Sequence, residues 1–97
     1  MPSLIVSYPA RAGARFDRDY YAGAHADLVR SIWEPHGLSG AEIFFPVEGE
    51  QPFAAMVVLR FPDQAAIDAA LGDAGTPRVL ADVANFTEIE PVIFRTQ

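Results

Sequence analysis

The chain has no cysteine, which excludes disulfides, thiolate catalysis and zinc–cysteine centres together. Lysine is missing too: the seven cations are all arginine, set against thirteen Asp and Glu, for a formal net charge of -6. An acidic chain without a basic stripe argues against nucleic acid as the main partner. No apolar run reaches membrane-spanning length, and the start lacks the charged and apolar parts of a signal peptide, so the cytoplasm is the expected location. There is no linker, repeat or low-complexity tract. Paired carboxylates, a nucleophile elbow, a glycine-rich phosphate loop, a metal-ligand cluster and a Rossmann-type nucleotide site are also missing. No cofactor is therefore expected, and a hydride transfer would need a borrowed one.

What the chain does have is apolar content, 51% of 97 residues, enough for one small domain spanning 1–97. The stretch Phe16 to Gly37 dominates it. At helical spacing Tyr21, His25, Leu28, Val29, Ile32 and Trp33 fall on one side, and Arg18, Asp27, Arg30 and Glu34 fall elsewhere. Asp17 is placed to cap the helix, Phe16 to staple against Tyr21, and Pro35 and Gly37 to end it. One imidazole thus interrupts an otherwise apolar stripe.

Around this helix the pattern predicts strands at Pro2–Tyr8, Leu38–Val47, Phe53–Phe61 and Glu88–Thr96. Phe53–Phe61 is apolar on both faces, as a central strand would be. Pro46 and Pro91 mark edges or strand ends. Asp63 caps a short helix ending at Gly72, and Thr76 reads as the cap of another, with Pro77 at its first position, running through Val79, Leu80 and Val83. The loop Ala10–Arg15 reads as mobile, with Arg11, Arg15 and Arg18 forming a solvated rim rather than an anion site, since nothing nearby resembles a phosphate cradle. The order β-α-β-β-α-β implies an α+β, ferredoxin-like antiparallel sheet with helices on one face only. Strands apolar on both sides then leave a bare face of roughly 400 Å². A second copy laid sheet against sheet is the simplest cover, so a homodimer is expected.

Tyr21-x-x-x-His25, the Gly37-Leu38 step, the Phe61-Pro62-Asp63 entry to a helix and Ala81-Asp82-Val83-Ala84-Asn85-Phe86-Thr87 together resemble the EthD-domain family. One departure is His25-Ala26-Asp27-Leu28, where the family often carries His-x-Pro-Leu. The resemblance implies a dimeric α+β barrel of ferredoxin-like subunits. It also implies a link to degradation of small organic compounds, with some members labelled reductases (oxidoreductases). Relatives on this architecture include polyketide cyclases, cofactor-free monooxygenases, decarboxylases and haem-degrading enzymes, so fold alone settles little.

His25 is the leading candidate, since an imidazole can accept or donate a proton near neutral pH. The residues alone leave open a buried histidine satisfied by a carbonyl or a tyrosine hydroxyl; the resemblance favours proton transfer. Tyr21, one turn earlier, would fix the imidazole tautomer or hold a substrate oxygen, or else be a core ring. Trp33, Phe45, Phe53, Phe61 and Phe86 either line an aromatic-binding pocket or make plain core. Asp82 and Asn85 read as local caps for the return into the last strand, with substrate contact the second reading. His36 lies roughly 16 Å further along a continued helix, too far to share a metal, and is placed to cap the helix C-terminus. The function expected is a cofactor-free enzyme moving a proton through His25 on a hydrophobic, oxygenated small molecule, aromatic or polyketide-like. The alternatives are a non-catalytic, stress-related dimer holding a hydrophobic ligand, and haem binding through His25.

Overall fold

Alternation of side chains builds the sheet of the computed structural model, which describes residues 1–97. The strands are β1 (Ser3–Pro9), β2 (Gly40–Phe44), β3 (Phe53–Arg60) and β4 (Val92–Arg95), in the order β2-β3-β1-β4. All neighbours are antiparallel, with Leu4 opposite Leu59, Val6 opposite Val57 and Ile93, and Tyr8 opposite Ala55. Those residues share the face beneath the helices. Ile5, Met56 and Val58 share the other with Phe44, Val92 and Phe94. This is the ferredoxin-like α+β arrangement.

Two strands are shorter than the pattern predicts. β2 stops at Phe44, before Pro46, and β4 begins only after Pro91, because proline cannot donate to a ladder. Residues before Pro91 bond elsewhere: Thr87 bridges to Phe16, and the Ile89 amide donates to Thr87 Oγ1 at 3.1 Å.

Helix α1 covers residues 18–36 in four stretches. It opens as a single α turn (Arg18–Tyr20), widens to a π-helix (Tyr21–His25), resumes as α (Ala26–Trp33) and closes as 3-10 (Glu34–His36). Asp17 accepts from the Tyr20 amide at 3.1 Å, and the Phe16 ring sits 5.2 Å from Tyr21. Gly37 ends the helix at φ 105, and a Cβ there would lie 3.1 Å from Pro62. Glycine is thus required twice over.

Helix α2 (Gln64–Leu71) starts where Asp63 accepts from the Ala66 amide at 2.8 Å. Helix α3 (Thr76–Asp82) runs on as a 3-10 turn, Val83–Asn85. Thr76 is not the cap of α3 but lies inside it, with Gly75 in the cap position. Its hydroxyl donates to the Ala70 carbonyl at 2.6 Å and accepts from Trp33 Nε1 at 2.9 Å, tying α1, α2 and α3 together. His36 likewise does not cap α1. It bonds Asp73 in the α2–α3 turn at 2.6 Å.

Under the helices lie two clusters. One contains Leu4, Val29, Trp33, Leu59, Phe61 and Ile67; the other contains Tyr8, Tyr21, Ala55, Phe86 and Ile89. Thr76→Val keeps the volume of the three-helix tie but orphans the Trp33 N–H, at about 1–3 kcal/mol, while the Ala70 carbonyl keeps its bond from the Asp73 amide. Urea unfolding should show that loss as a lowered midpoint at unchanged slope.

Candidate active site

The apolar stripe of α1 recurs every fourth residue: Tyr21, His25, Val29 and Trp33 are all buried. In a regular α-helix each step of four overshoots one turn by roughly 40°, so such a stripe would slide off the core within a few turns. The wider π turn holds back the first step, keeping His25 beneath Tyr21. The two rings stack 5.6 Å apart at 18°, and Phe86 closes on the imidazole at 4.7 Å.

His25 is 5% exposed and its Nδ1 lies 2.9 Å from Asp82 Oδ2. The other carboxylate oxygen of Asp82 accepts from the Tyr20 hydroxyl and from Asn85 Nδ2, each at 2.8 Å. Burial works to raise the Asp82 pKa, but hydrogen bonds from His25, Asn85 and Tyr20 outweigh it and hold the carboxyl below its ordinary value. At neutral pH Asp82 is therefore a carboxylate that can only accept, so the His25 proton sits on Nδ1. That leaves Nε2, which has no partner in the chain, as the lone-pair edge.

His25 lines a cavity of about 160 Å³ between α1, α3 and the sheet. Tyr8, Tyr21, Val57, Trp33 and Val79 form its walls, and the exposed residues Arg30, Ala41, Leu80 and Ile93 mark its mouth. Tyr21 Oη is the only fully enclosed side-chain polar atom without a hydrogen bond. Nε2 of His25 and Oη of Tyr8, also unbonded, thus keep a small accessible area. Burial pushes the pKa of both phenols up, so they remain neutral donors.

The anticipated residues divide. Trp33 lines the cavity with His25 and Tyr21, whereas Phe61 and Phe86 are fully buried core outside its lining. Phe45 lies over the edge of the aromatic cluster, 6.2 Å from Tyr21, with the Arg18 guanidinium 4.8 Å above its ring. Phe53 also stays outside the cavity. Asp82 touches His25 rather than the cavity, and it replaces Tyr21 as the group that fixes the tautomer.

Tyr8 and Tyr20 were missed by sequence reasoning. Tyr8 follows Leu4 and Val6 on the alternating inner face of β1, a signal that was present. Tyr20 had none, since its role depends on where α3 ends. Arg15 is not part of a free rim. Its guanidinium donates to the Asn85 and Ala84 carbonyls at 3.3 and 3.1 Å, steadying the segment that carries Asp82.

No group of three or more His, Asp or Glu that could hold a metal ion is present. No helix is long and apolar enough to cross a membrane.

A ferredoxin-like sheet with a His–Asp pair beside an apolar cavity places the chain among small α+β proteins that share this fold. The model described as EthD domain matches residues 12–90, and the chain belongs to that family. An EthD-like protein from Ralstonia eutropha JMP134 is 27% identical, with TM-score 0.86 over 99% of this chain and 89% of its own. An ethyl tert-butyl ether D (EthD) family protein from Bacillus halodurans C-125 is 19% identical, at TM-score 0.73 over 100% and 97%. A dimeric ferredoxin-like protein of unknown function from Jannaschia sp. CCS1 is 15% identical, at TM-score 0.70 over 99% and 97%. No curated protein sequence matches the chain.

The lowered pKa of Asp82 has a definite sign in acid. The unfolded chain binds that proton more readily, so the contribution to stability is complete above about pH 5 and is lost as pH falls through the lowered folded value. Asp73, hydrogen-bonded by His36 and the Gly75 amide, and Glu88, hydrogen-bonded by the Arg15 amide, are lowered likewise. In thermal melts across this range, Asp82→Asn should lose less stability on acidification than the wild type does.

Proposed function

We propose that this chain, read as one EthD-like domain over 1–97, is a small enzyme that uses no cofactor. In this reading His25 moves a proton on a hydrophobic, oxygen-bearing ring compound, aromatic or polyketide-like. The observation that carries it is the pairing of buried His25 with partly buried Asp82, which leaves Nε2 as the only basic edge beside an apolar cavity. Nε2 would take a proton from a phenol, or from carbon beside a carbonyl, and return it later in the cycle. Asp82 would orient the ring and stabilise the imidazolium that forms, with Tyr20 and Asn85 holding Asp82 in place. Tyr8 Oη, unbonded and with a small accessible area, would donate to the substrate oxygen, Tyr21 would hold the imidazole face by stacking on it, and Trp33 would pack against the ring. Apolar walls would keep water from the exchanging proton.

Haem at His25 is the poorer reading. A cavity of about 160 Å³ is close to the ~150 Å³ that holds a benzene, far short of a porphyrin.

We further propose that two copies pair through the sheet face left bare by the helices. Phe44, Val92 and Phe94 stand 46%, 52% and 60% exposed there, beside Ile5, Met56 and Val58. A single-sided sheet with aromatic residues open to water favours such a cover. A cysteine-free chain also suits the reducing cytoplasm, where we place it.

Thermal-shift screening with phenols and quinones, followed by product assays on the hits, tests the catalytic reading. His25→Ala should lower kcat by about 10²–10⁴-fold while the fold persists. Turnover unchanged in that variant would remove His25 from the chemistry, and ligand binding without product from the wild type would leave a binding protein. For the pairing, Phe94→Glu should elute as a monomer in size-exclusion chromatography with light scattering, against a dimer for the wild type.

A further inference from the structure

Sixteen of the twenty residues lining the cavity are hydrophobic, and the other four are His25, Arg30, Thr76 and Pro91. Thr76 is spent, its hydroxyl donating to Ala70 and accepting from Trp33. His25 is held by Asp82 at the inner end. Arg30 is thus the only cation of the lining, and its 47% exposed side chain stands at the mouth. Its one partner is Asp27, at 3.5 Å from Nη1, an exposed pair one turn apart on the same helix and of the weak kind. Nη2 and Nε make no hydrogen bond in the chain. Together they form one edge of the guanidinium, the geometry that receives a carboxylate through two parallel bonds.

Size points the same way. A cavity of about 160 Å³ encloses a single ring, as one of ~150 Å³ encloses benzene, so a longer substituent must leave through the mouth. Arg30 follows His25 by five residues on α1, about 7.5 Å along the helix axis. A para-substituted ring spans that separation. The chain carries a net charge of -6, which repels anions in general, so only a local cation would make an anionic ligand welcome. Asp27 and Glu34, within one turn of Arg30, are the carboxylates such a ligand competes with.

We propose that Arg30 selects ligands bearing a carboxylate: the ring with its oxygen enters toward His25 and Tyr8, and the carboxylate stays at the mouth on the guanidinium. Arg30 is then a specificity residue that takes no part in proton transfer. This rests on the reading of the cavity as the binding site.

The test titrates 3-(4-hydroxyphenyl)propanoate and its methyl ester, by isothermal calorimetry or NMR, into wild type and Arg30→Gln. The wild type should bind the acid at least tenfold more tightly than the ester. Arg30→Gln should bring the two together while leaving ester affinity unchanged. Added salt should weaken the acid alone in the wild type. An acid-to-ester ratio near one in the wild type, or a preference that survives in Arg30→Gln, overturns the role of Arg30 while ester binding upholds the cavity. Failure of both compounds to bind the wild type overturns the proposal and the cavity reading together. The acid-to-ester ratio is unmoved by a merely structural change, since both probes share the same ring.

Discussion

The carboxylate of Asp82 is where the architecture closes on itself. It collects the Tyr20 hydroxyl, the Asn85 amide and His25 Nδ1, joining the first helix to the end of the third across more than fifty residues of sequence. Hydrogen bonds to a carboxylate are among the stronger ones in proteins, and together they outweigh the penalty of partly burying its charge. With that knot tied, the imidazole has one orientation and one free edge. The cavity lies between this knot and the Trp33–Thr76 bond, which hold α1 to α3 at its two ends.

Energetically the interior is of two kinds. Around Leu4, Leu59, Phe61 and Ile67 it is ordinary close packing with no polar obligation. Around Tyr8, Tyr21, His25 and Phe86 it is a tilted and edge-on aromatic assembly that carries polar atoms without partners. An enclosed hydroxyl with no acceptor costs about 1–3 kcal/mol. A chain tuned for stability alone would place phenylalanine at position 21. The Tyr8 hydroxyl beside it is different, since it keeps a small accessible area where an oxygen entering the cavity can meet it.

Much of the fold was legible in the sequence. Strict alternation in Leu4-Val6-Tyr8 and Ala55-Val57-Leu59, the caps at Asp17 and Asp63, and the Pro35-Gly37 stop are local signals with local causes, and they place the elements to within a few residues. The site was legible only in half. His25 is visible because it interrupts an apolar stripe. Asp82 as its partner is not, since that bond depends on how far α3 runs before its 3-10 turn. Thr76 shows the same difficulty: a threonine before a proline has every local reason to cap, and a tertiary bond from Trp33 places it inside the helix instead. Local chemistry predicts local structure, while contacts between remote elements must be seen.

The π turn at Tyr21–His25 amounts to one surplus residue carried inside an otherwise regular helix. The two halves of α1 therefore keep different phase. Upstream residues answer to Asp17 and the aromatic cluster, downstream ones to Trp33 and the three-helix tie. Deleting one residue between them would return the backbone to a uniform pitch with the two halves in nearly the register they hold now, because the wider turn absorbs one residue's worth of rotation. The four-residue step that stacks Tyr21 on His25 would be lost, while Val29 and Trp33 would keep their places. The surplus residue thus serves the imidazole and leaves the tryptophan untouched, and Gly23, with open space around it, is free to change its side chain.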